Sequence, residues 1–314
     1  MSNNQWGRKV ELVLFSGEKG IDLSEFRITF QIRNADVECP NSAAIRVYNL
    51  APSTIQKIRG EFNEVILNAG YDTGNFGAIF KGTIKQFRIG KENPTDSYLD
   101  ILAADGDIGY NQGVVNATLS KGSTVEDAIK TSVGAMPNTS VDQSTIIVDK
   151  QHVPNIRGVV MFGMARARLR NFASTLDSTW SIQNGKAIFT QRAGYQPGEA
   201  VKINVSTGLV GFPQQTDQGI RLKCLLNCRI RIGGLVQLNN EEIIQLMQSD
   251  PNSAPIPYDQ WAGFQYNAPL SKDGLYRAYV VEHEGDTRGN AWYSELTCLA
   301  VDPSADESNA VKAP

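Results

Sequence analysis

Histidine and cysteine are scarce in this chain. Among 314 residues there are two histidines, His152 and His283, and four cysteines, Cys39, Cys224, Cys228 and Cys298. A metal site needs several ligands converging on one point, which two distant histidines do not supply. His283 lies among acids in Val281-Glu282-His283-Glu284-Gly285-Asp286 and reads as an exposed residue on a hairpin arm. Cys224 and Cys228 are close in sequence, but no second pair exists to complete a zinc set. Sparse cysteines fit free thiols in a reducing compartment. A Gly-x-Ser-x-Gly elbow, a phosphate loop and a dinucleotide fingerprint are also missing. No catalytic residue, no cofactor and no metal are expected.

An excess of charge is lacking too. The 30 basic and 33 acidic residues leave a formal charge of -3, which gives no net attraction for nucleic acid or an anionic membrane. No apolar run approaches the roughly 20 residues of a membrane span, so no membrane insertion is expected. The first residues, MSNNQWGRKVELVLF, lack the long apolar region of a signal peptide. Arg166, Arg168 and Arg170 form a local basic cluster, but no aromatic platform is interleaved with them. A solvated helix face or contact with an acidic partner suits them better than nucleic acid. Glu282 and Glu295 fall on facing hairpin arms and are the pair a glycosidase would need. Both lie where solvated strand faces are expected.

What the chain has in quantity is period-two alternation. At this length two or three domains are expected. Residues 1–110 read as mostly β. Strand patterns cover Arg8 to Phe15, Phe26 to Ile32, Ala44 to Tyr48 and Val65 to Leu67. A helix is predicted from Thr54 to Arg59, capped by Ser53 and stopped by Gly60. Thr83 to Ile89 and Tyr98 to Ala103 form the arms of a long hairpin. Residues 111–195 change to α+β. Ser123-Thr124-Val125-Glu126 reads as a capping box before a helix from Val125 to Val133. Ser144 to Asp149 reads as a strand and Ala165 to Leu176 as a helix. Asn184-Gly185 is a strong hairpin signal between Trp180-Ser181-Ile182 and Ala187-Ile188-Phe189.

Residues 196–303 return to β. A glycine and proline turn (Gly208, Gly211, Pro213) leads to a strand from Ile220 to Leu226. Arg229-Ile230-Arg231-Ile232 alternates strictly and predicts another. Residues 239–270 read as a loop insertion, with one or two helical turns from Glu241 to Gln248. Asp250-Pro251, Pro255 and Pro257 break any regular element there. Trp261, Phe264 and Tyr266 either pin this loop to the core or dock a partner. Residues 304–314 are small and polar and read as a flexible tail.

The two β segments end alike, in Tyr98-Leu99-Asp100-Ile101-Leu102-Ala103-Ala104-Asp105 and Leu296-Thr297-Cys298-Leu299-Ala300-Val301-Asp302. Matching Leu99 with Leu296 and Leu102 with Leu299 suggests a duplicated hairpin, Gly82 to Asp105 and Gly274 to Asp302.

The stretch GLVGFPQQTDQGIRLKCLLNCRIRIGGLVQL (208–238) resembles the phage-tail baseplate hub family. It has a glycine and proline turn, a strand ending in Leu-Leu-Asn, then an alternating run and glycines before the next apolar run. Residues 41–83 resemble that family's first domain in the order strand, Asn-Leu turn, short helix, strand, Ala-Gly-Tyr, Phe-x-Gly. The resemblance covers the two ends and leaves the middle segment matched only in style.

The resemblance implies two similar β-barrel-like, tube-type domains (1–110 and 196–303) flanking the α+β domain. It implies a homotrimer whose six β domains form a pseudo-six-fold ring. Its partners would be the tail tube or distal tail protein, the central spike and the tape measure protein. DNA would pass through without specific binding. The protein would sit in the virion tail, assembled in the host bacterial cytoplasm. Asp100, Glu295 and Thr297, opposite the apolar faces of the hairpins, are candidates for the channel wall. That wall is expected to be free of basic clusters, which would hold DNA by counterion release. The competing readings are a cell-wall-degrading tail-tip hydrolase and a glycan-binding tail-fibre module.

Overall fold

The computed structural model describes residues 5–146, 155–216, 218–240, 243–245, 270–271 and 273–301. Trp261, Phe264, Tyr266, His152, Asp302 and residues 304–314 lie outside the described residues, as does most of the predicted insertion.

The first segment contains strands β1 (Arg8–Ser16), β2 (Lys19–Asp22), β3 (Ile28–Ala35) and β4 (Ser42–Tyr48). Helix α1 (Pro52–Glu61) and strands β5 (Glu64–Tyr71), β6 (Phe76–Lys91) and β7 (Ser97–Ala104) follow. The alternation in these strands sets their burial. In β3, Ile28, Phe30 and Ile32 are buried while Gln31 and Arg33 face out. Ile55 and Ile58 of α1 are buried; they join Leu12, Leu67, Phe80, Leu99 and Ile101 in the first apolar cluster.

Helix α1 differs from its predicted bounds. Ala51 is its extended N-cap and Pro52 its first residue, with no side-chain cap. Proline needs no amide partner at that position, so Ser53 falls inside the helix. Gly60 does not stop the helix, which runs on to Glu61 before Phe62 turns into the core.

The middle segment holds α2 (Asp107–Gln112), β8 (Val114–Leu119), α3 (Val125–Gly134), β9 (Ser140–Val141), β10 (Val159–Met164), α4 (Ala165–Thr175), β11 (Ser178–Gln183) and β12 (Lys186–Gln191). Its own apolar cluster includes Ile129, Val133, Leu169, Trp180 and Phe189. The capping box of α3 sits one residue later than the sequence suggested. Thr124 accepts from the Asp127 amide at 3.2 Å, and Asp127 accepts from the Thr124 amide at 2.9 Å. Of the strand predicted from Ser144 to Asp149, residues 147–149 lie outside the described residues, and its start falls in a single 3-10 turn, Gln143–Thr145, where the Asp142 carboxylate captures the Ser144 amide. Asn184 and Gly185 have φ of 53° and 77°, the left-handed pair that a tight two-residue hairpin requires.

The last segment contains β13 (Val201–Lys202), β14 (Leu209–Thr216), β15 (Gly219–Leu225), β16 (Leu235–Gln237), β17 (Ile244–Gln245), β18 (Leu275–Asp286) and β19 (Trp292–Ala300). Ile220, Leu222, Val236, Ala278 and Leu296 lie in a third cluster. Of the predicted glycine and proline turn, Gly208 ends the 3-10 turn Val205–Thr207 with a φ of 101°, whereas Gly211 and Pro213 fall within strand β14, bulged between Val210 and Gln214. Arg229 to Ile232 is not a strand. Ile230 and Ile232 are buried and the two arginines exposed, as the alternation requires. However, Asn227 captures the Arg229 amide at 3.0 Å and bends the chain off the ladder.

The fold is mostly β, and its largest sheet joins the two ends of the chain. The strand order is β17-β14-β15-β19-β18-β3-β4-β7-β6-β5-β1-β2, with β13 and β16 attached beside β18. β18 and β3 pair antiparallel from Val280↔Ala35 to Asp286↔Thr29. Two runs within this sheet have the same connectivity: β3-β4-β7-β6-β5 and β14-β15-β19-β18-β16. Both hairpins carry a bulge, at Lys85 in β6 and at Tyr279 in β18. Matching the bulges sets Asp100 against Glu295 and Leu102 against Thr297. The leucine match read from sequence is therefore out of register, because apolar spacing alone does not see a bulge.

Candidate functional site

The shared sheet presents one polar face that crosses the β3–β18 joint. Backbone register lines up Lys223, Glu295, Glu282, Arg33 and Ser42 across five strands. A parallel row contains Tyr293, Glu284, Gln31, Ala44 and Leu102. Because side chains alternate along each strand, these rows share one face. Together they floor an open groove of about 570 Å³. A third row places Asp286, Thr29, Arg46, Asp100 and Arg88 side by side.

Charges on this face are matched. Arg46 grips Asp100 with two bonds, of 2.6 and 3.1 Å, and its guanidinium stacks over Tyr98. Arg221 binds Glu295 at 2.5 Å, and Arg33 reaches Glu282 at 3.3 Å. Lys223 lies over the Tyr293 ring. Thr297, half-buried, is registered between Arg221 and Val280. The three predicted wall residues thus fall on one face. The face carries Arg33, Arg46 and Arg221, each paired with an acid. A sheet side that is solvated on one face needs such cross-strand pairs, since like charges opposite each other destabilise it.

Glu282 and Glu295 are directly opposed in register, but each is held by an arginine. Among the described residues no group of three His, Cys, Asp or Glu side chains is placed to hold a metal. All four cysteines are free, Cys224 and Cys298 being buried. His283 is not the surface residue its acidic neighbours suggested. It points to the opposite face, is 2 % exposed, and its Nδ1 is 2.8 Å from the Ser294 hydroxyl. Burial pushes its pKa down to about 4. Glu282 and Glu284 flank it in sequence but lie on the other side of the sheet, so they do not stabilise its cation.

The arginines of α4 are dispersed. Arg166 bonds to the Tyr110 carbonyl and Asn111, Arg168 to the Phe162 carbonyl, and Arg170 to Glu38. They fasten the helix locally and do not form one basic surface.

Sequence reasoning missed the site where three segments meet. Arg277, 2 % exposed, donates to the carbonyls of Gln191 at 2.6 Å and Gly194 at 3.1 Å. Its other terminal nitrogen is 3.9 Å from Asp36. Asp36 also accepts from the Thr179 hydroxyl at 2.9 Å. Nearby, Asn41 bonds to the Ala35 amide and the Ile182 carbonyl, and Asp105 receives the Asn184 and Gly185 amides. Burial pushes the Asp105 carboxyl up to about 7, outweighing the two amides that favour its charge. A usable signal was present: Arg277 interrupts the otherwise apolar Leu275-Tyr276-Arg277-Ala278-Tyr279-Val280, and a cation there demands a partner.

This architecture is that of a phage tail protein. The 43 kDa tail protein of prophage MuSo2 from Shewanella oneidensis superposes with a TM-score of 0.56 at 6% identity, covering 95% of this chain and 99% of that one. A tail protein from Neisseria meningitidis MC58 gives 0.54 at 10% identity, over 94% and 97%. A third, E. coli c3393, gives 0.51 at 11% identity, over 88% and 74%; it is a type VI secretion component described as similar to bacteriophage T4 tail proteins gp27 and gp5. These likenesses establish the fold. No curated protein matches the chain. The family model of baseplate hub gp41 matches residues 9–242, and the chain belongs to that family. Its role is that of a structural tail hub, and its place is the virion tail.

Proposed function

We propose that this hub subunit assembles as a homotrimer around a channel. Residues 1–110 and 196–303 act as two tube-type, barrel-like domains, with 111–195 as an α+β domain between them. Three chains then present six similar β units. They adapt a hexameric tail tube to a trimeric spike and enclose the path of the tape measure and of DNA. The observation that carries this reading is the repeated strand connectivity joined into one sheet by β3 and β18. Each chain already contains one junction of the kind a six-unit wall needs.

The face bearing Asp100, Glu295 and Thr297 is assigned to the channel. Its matched charges support this, since a wall without excess cation has little to exchange for the counterions of DNA. The aromatic residues Trp261, Phe264 and Tyr266 are assigned to a docking loop for a neighbouring tail component. Light scattering on the purified chain and a density map of the assembled tip test the reading. The expected results are three copies, and a wall with six-fold character lined by the Asp100 and Glu295 face. A dimer, or this face turned outward, would overturn it.

A further inference from the structure

In the middle segment, β8 and β10 form a two-stranded antiparallel ribbon, registered from Val114↔Met164 to Leu119↔Val159. Alternation gives it two faces. Val115 and Met161 are buried on one, in the cluster that holds Ile129 and Leu169. The other carries Val114, Asn116 and Thr118 of β8 and Val160, Phe162 and Met164 of β10. Val114 is 52 %, Val160 71 % and Phe162 68 % exposed. A sheet face left to solvent ordinarily carries polar side chains, so this one lacks a cover.

Cations without acids frame the face. Residues 108–125 and 155–176 contain no aspartate or glutamate, yet they carry Lys121, Arg157, Arg166, Arg168 and Arg170. Arg170 meets Glu38, and Arg166 is turned to Tyr110 and Asn111. Arg168 donates to the Phe162 carbonyl at 2.9 Å, which fixes its guanidinium beside β10. At the other end of the ribbon, the Gly122 amide donates to the Asn155 carbonyl at 2.8 Å, and the Asn155 amide to the Ser123 carbonyl at 2.9 Å. These bonds bring Lys121 and Arg157 together. Among the described residues, Lys121, Arg157 and Arg168 have no carboxylate partner, whereas Arg33, Arg46 and Arg221 of the large sheet each have one. The acids that open α3 are already engaged: Glu126 pairs with Lys130, and Asp127 completes the capping box.

We infer that the exposed face of the β8–β10 ribbon docks an amphipathic helix of a partner protein, one whose apolar stripe is bordered at both ends by carboxylates. The inference concerns the middle segment and does not depend on the ring reading. An apolar sheet face is buried by laying a second layer of secondary structure upon it. A ribbon of two strands about 5 Å apart matches the width of a single helix, about 10 Å across. From Arg157 to Phe162 the chain advances about 16 Å, the length of about eleven helical residues or three turns. Carboxylates three turns apart lie on one side of a helix and reach both cationic ends. An anionic membrane would also meet cations and apolar groups. It would, however, strip water from Asn116 and Thr118 on the same face without returning hydrogen bonds, which a protein partner can supply.

The test uses the full chain and two fluorescein-labelled, hydrocarbon-stapled helical peptides with the same leucine stripe. One carries glutamates at both ends of the stripe, three turns apart, and the other lysines at the same positions. Fluorescence anisotropy should show the glutamate peptide binding at least about tenfold more tightly than the lysine peptide, and weakening as salt rises. The variant V160T/F162T removes exposed apolar groups and should weaken binding by about tenfold or more, with an unchanged thermal melt. The variant K121E/R157E, at side chains that make no bond among the described residues, should shift the preference toward the lysine peptide. No binding of the glutamate peptide, equal binding of both peptides, or binding indifferent to V160T/F162T would overturn the assignment. So would flotation of the chain with phosphatidylcholine–phosphatidylglycerol vesicles that is lost in V160T/F162T, which would give the face to a membrane.

Discussion

Replacing Arg277 by methionine should loosen the middle segment from the sheet. The change keeps an unbranched apolar stem but removes the cation. The Gln191 and Gly194 carbonyls lose the Arg277 donor, and Asp36, 0 % exposed at its side chain, loses its ion-pair partner. Burial raises the Asp36 carboxyl pKa and lowers that of the Arg277 guanidinium. Burial thus disfavours the charged form of each, and the other's charge opposes that effect. Removing one partner of a buried pair costs about 3–5 kcal/mol, whereas replacing both with neutral groups costs much less. Asp36→Asn can still accept from Thr179, so the double variant D36N/R277M should recover about half the loss. Urea denaturation of the two single variants and the double variant completes a double-mutant cycle. Proteolysis between residues 104 and 200 should accelerate in R277M alone. If R277M unfolds within about 1 kcal/mol of the unmodified chain, the pair is not a keystone and the reasoning fails.

Two buried groups tie stability to pH with opposite signs. Asp105 has a folded pKa raised to about 7, so its contribution is full below the unfolded value of about 3.9 and is lost as pH rises through 7. Between pH 5 and 8 the unmodified chain should lose about 2 kcal/mol more than Asp105→Asn, read from denaturation midpoints at each pH; equal slopes would refute this. His283, lowered to about 4, contributes stability above its unfolded value of about 6.5 that is lost as pH falls toward 4. His283→Asn should flatten that acid limb, and an unchanged limb would place the acid sensitivity elsewhere. Leu226, fully buried where the last segment meets the first apolar cluster, should cost about 3 kcal/mol when cut to alanine; thermal melting checks it. Gly185→Val, at φ 77°, should cost about 1–2 kcal/mol, measured the same way.

The sequence alone determined most strands and their faces. Alternation in Ile28-Thr29-Phe30-Gln31-Ile32 and in Leu296-Thr297-Cys298 is a local property, and a strand's period of two converts it directly into an inside and an outside. The Asn184-Gly185 turn was legible for the same reason, since left-handed φ at two successive residues is a demand on those two residues alone. The face shared by Asp100, Glu295 and Thr297 followed from the same period. Tertiary structure alone decided which edges meet. β3 and β18 pair through backbone groups, which every residue carries, so no side-chain pattern marks that joint across the length of the chain. The same long-range pairing buried His283 among apparent surface residues, by covering one side of its strand with core. It also brought Asp36 and Arg277 together from opposite ends of the sequence. Bulges at Lys85 and Tyr279 set the true register of the two hairpins, and a bulge is a property of a strand pair that neither strand displays by itself.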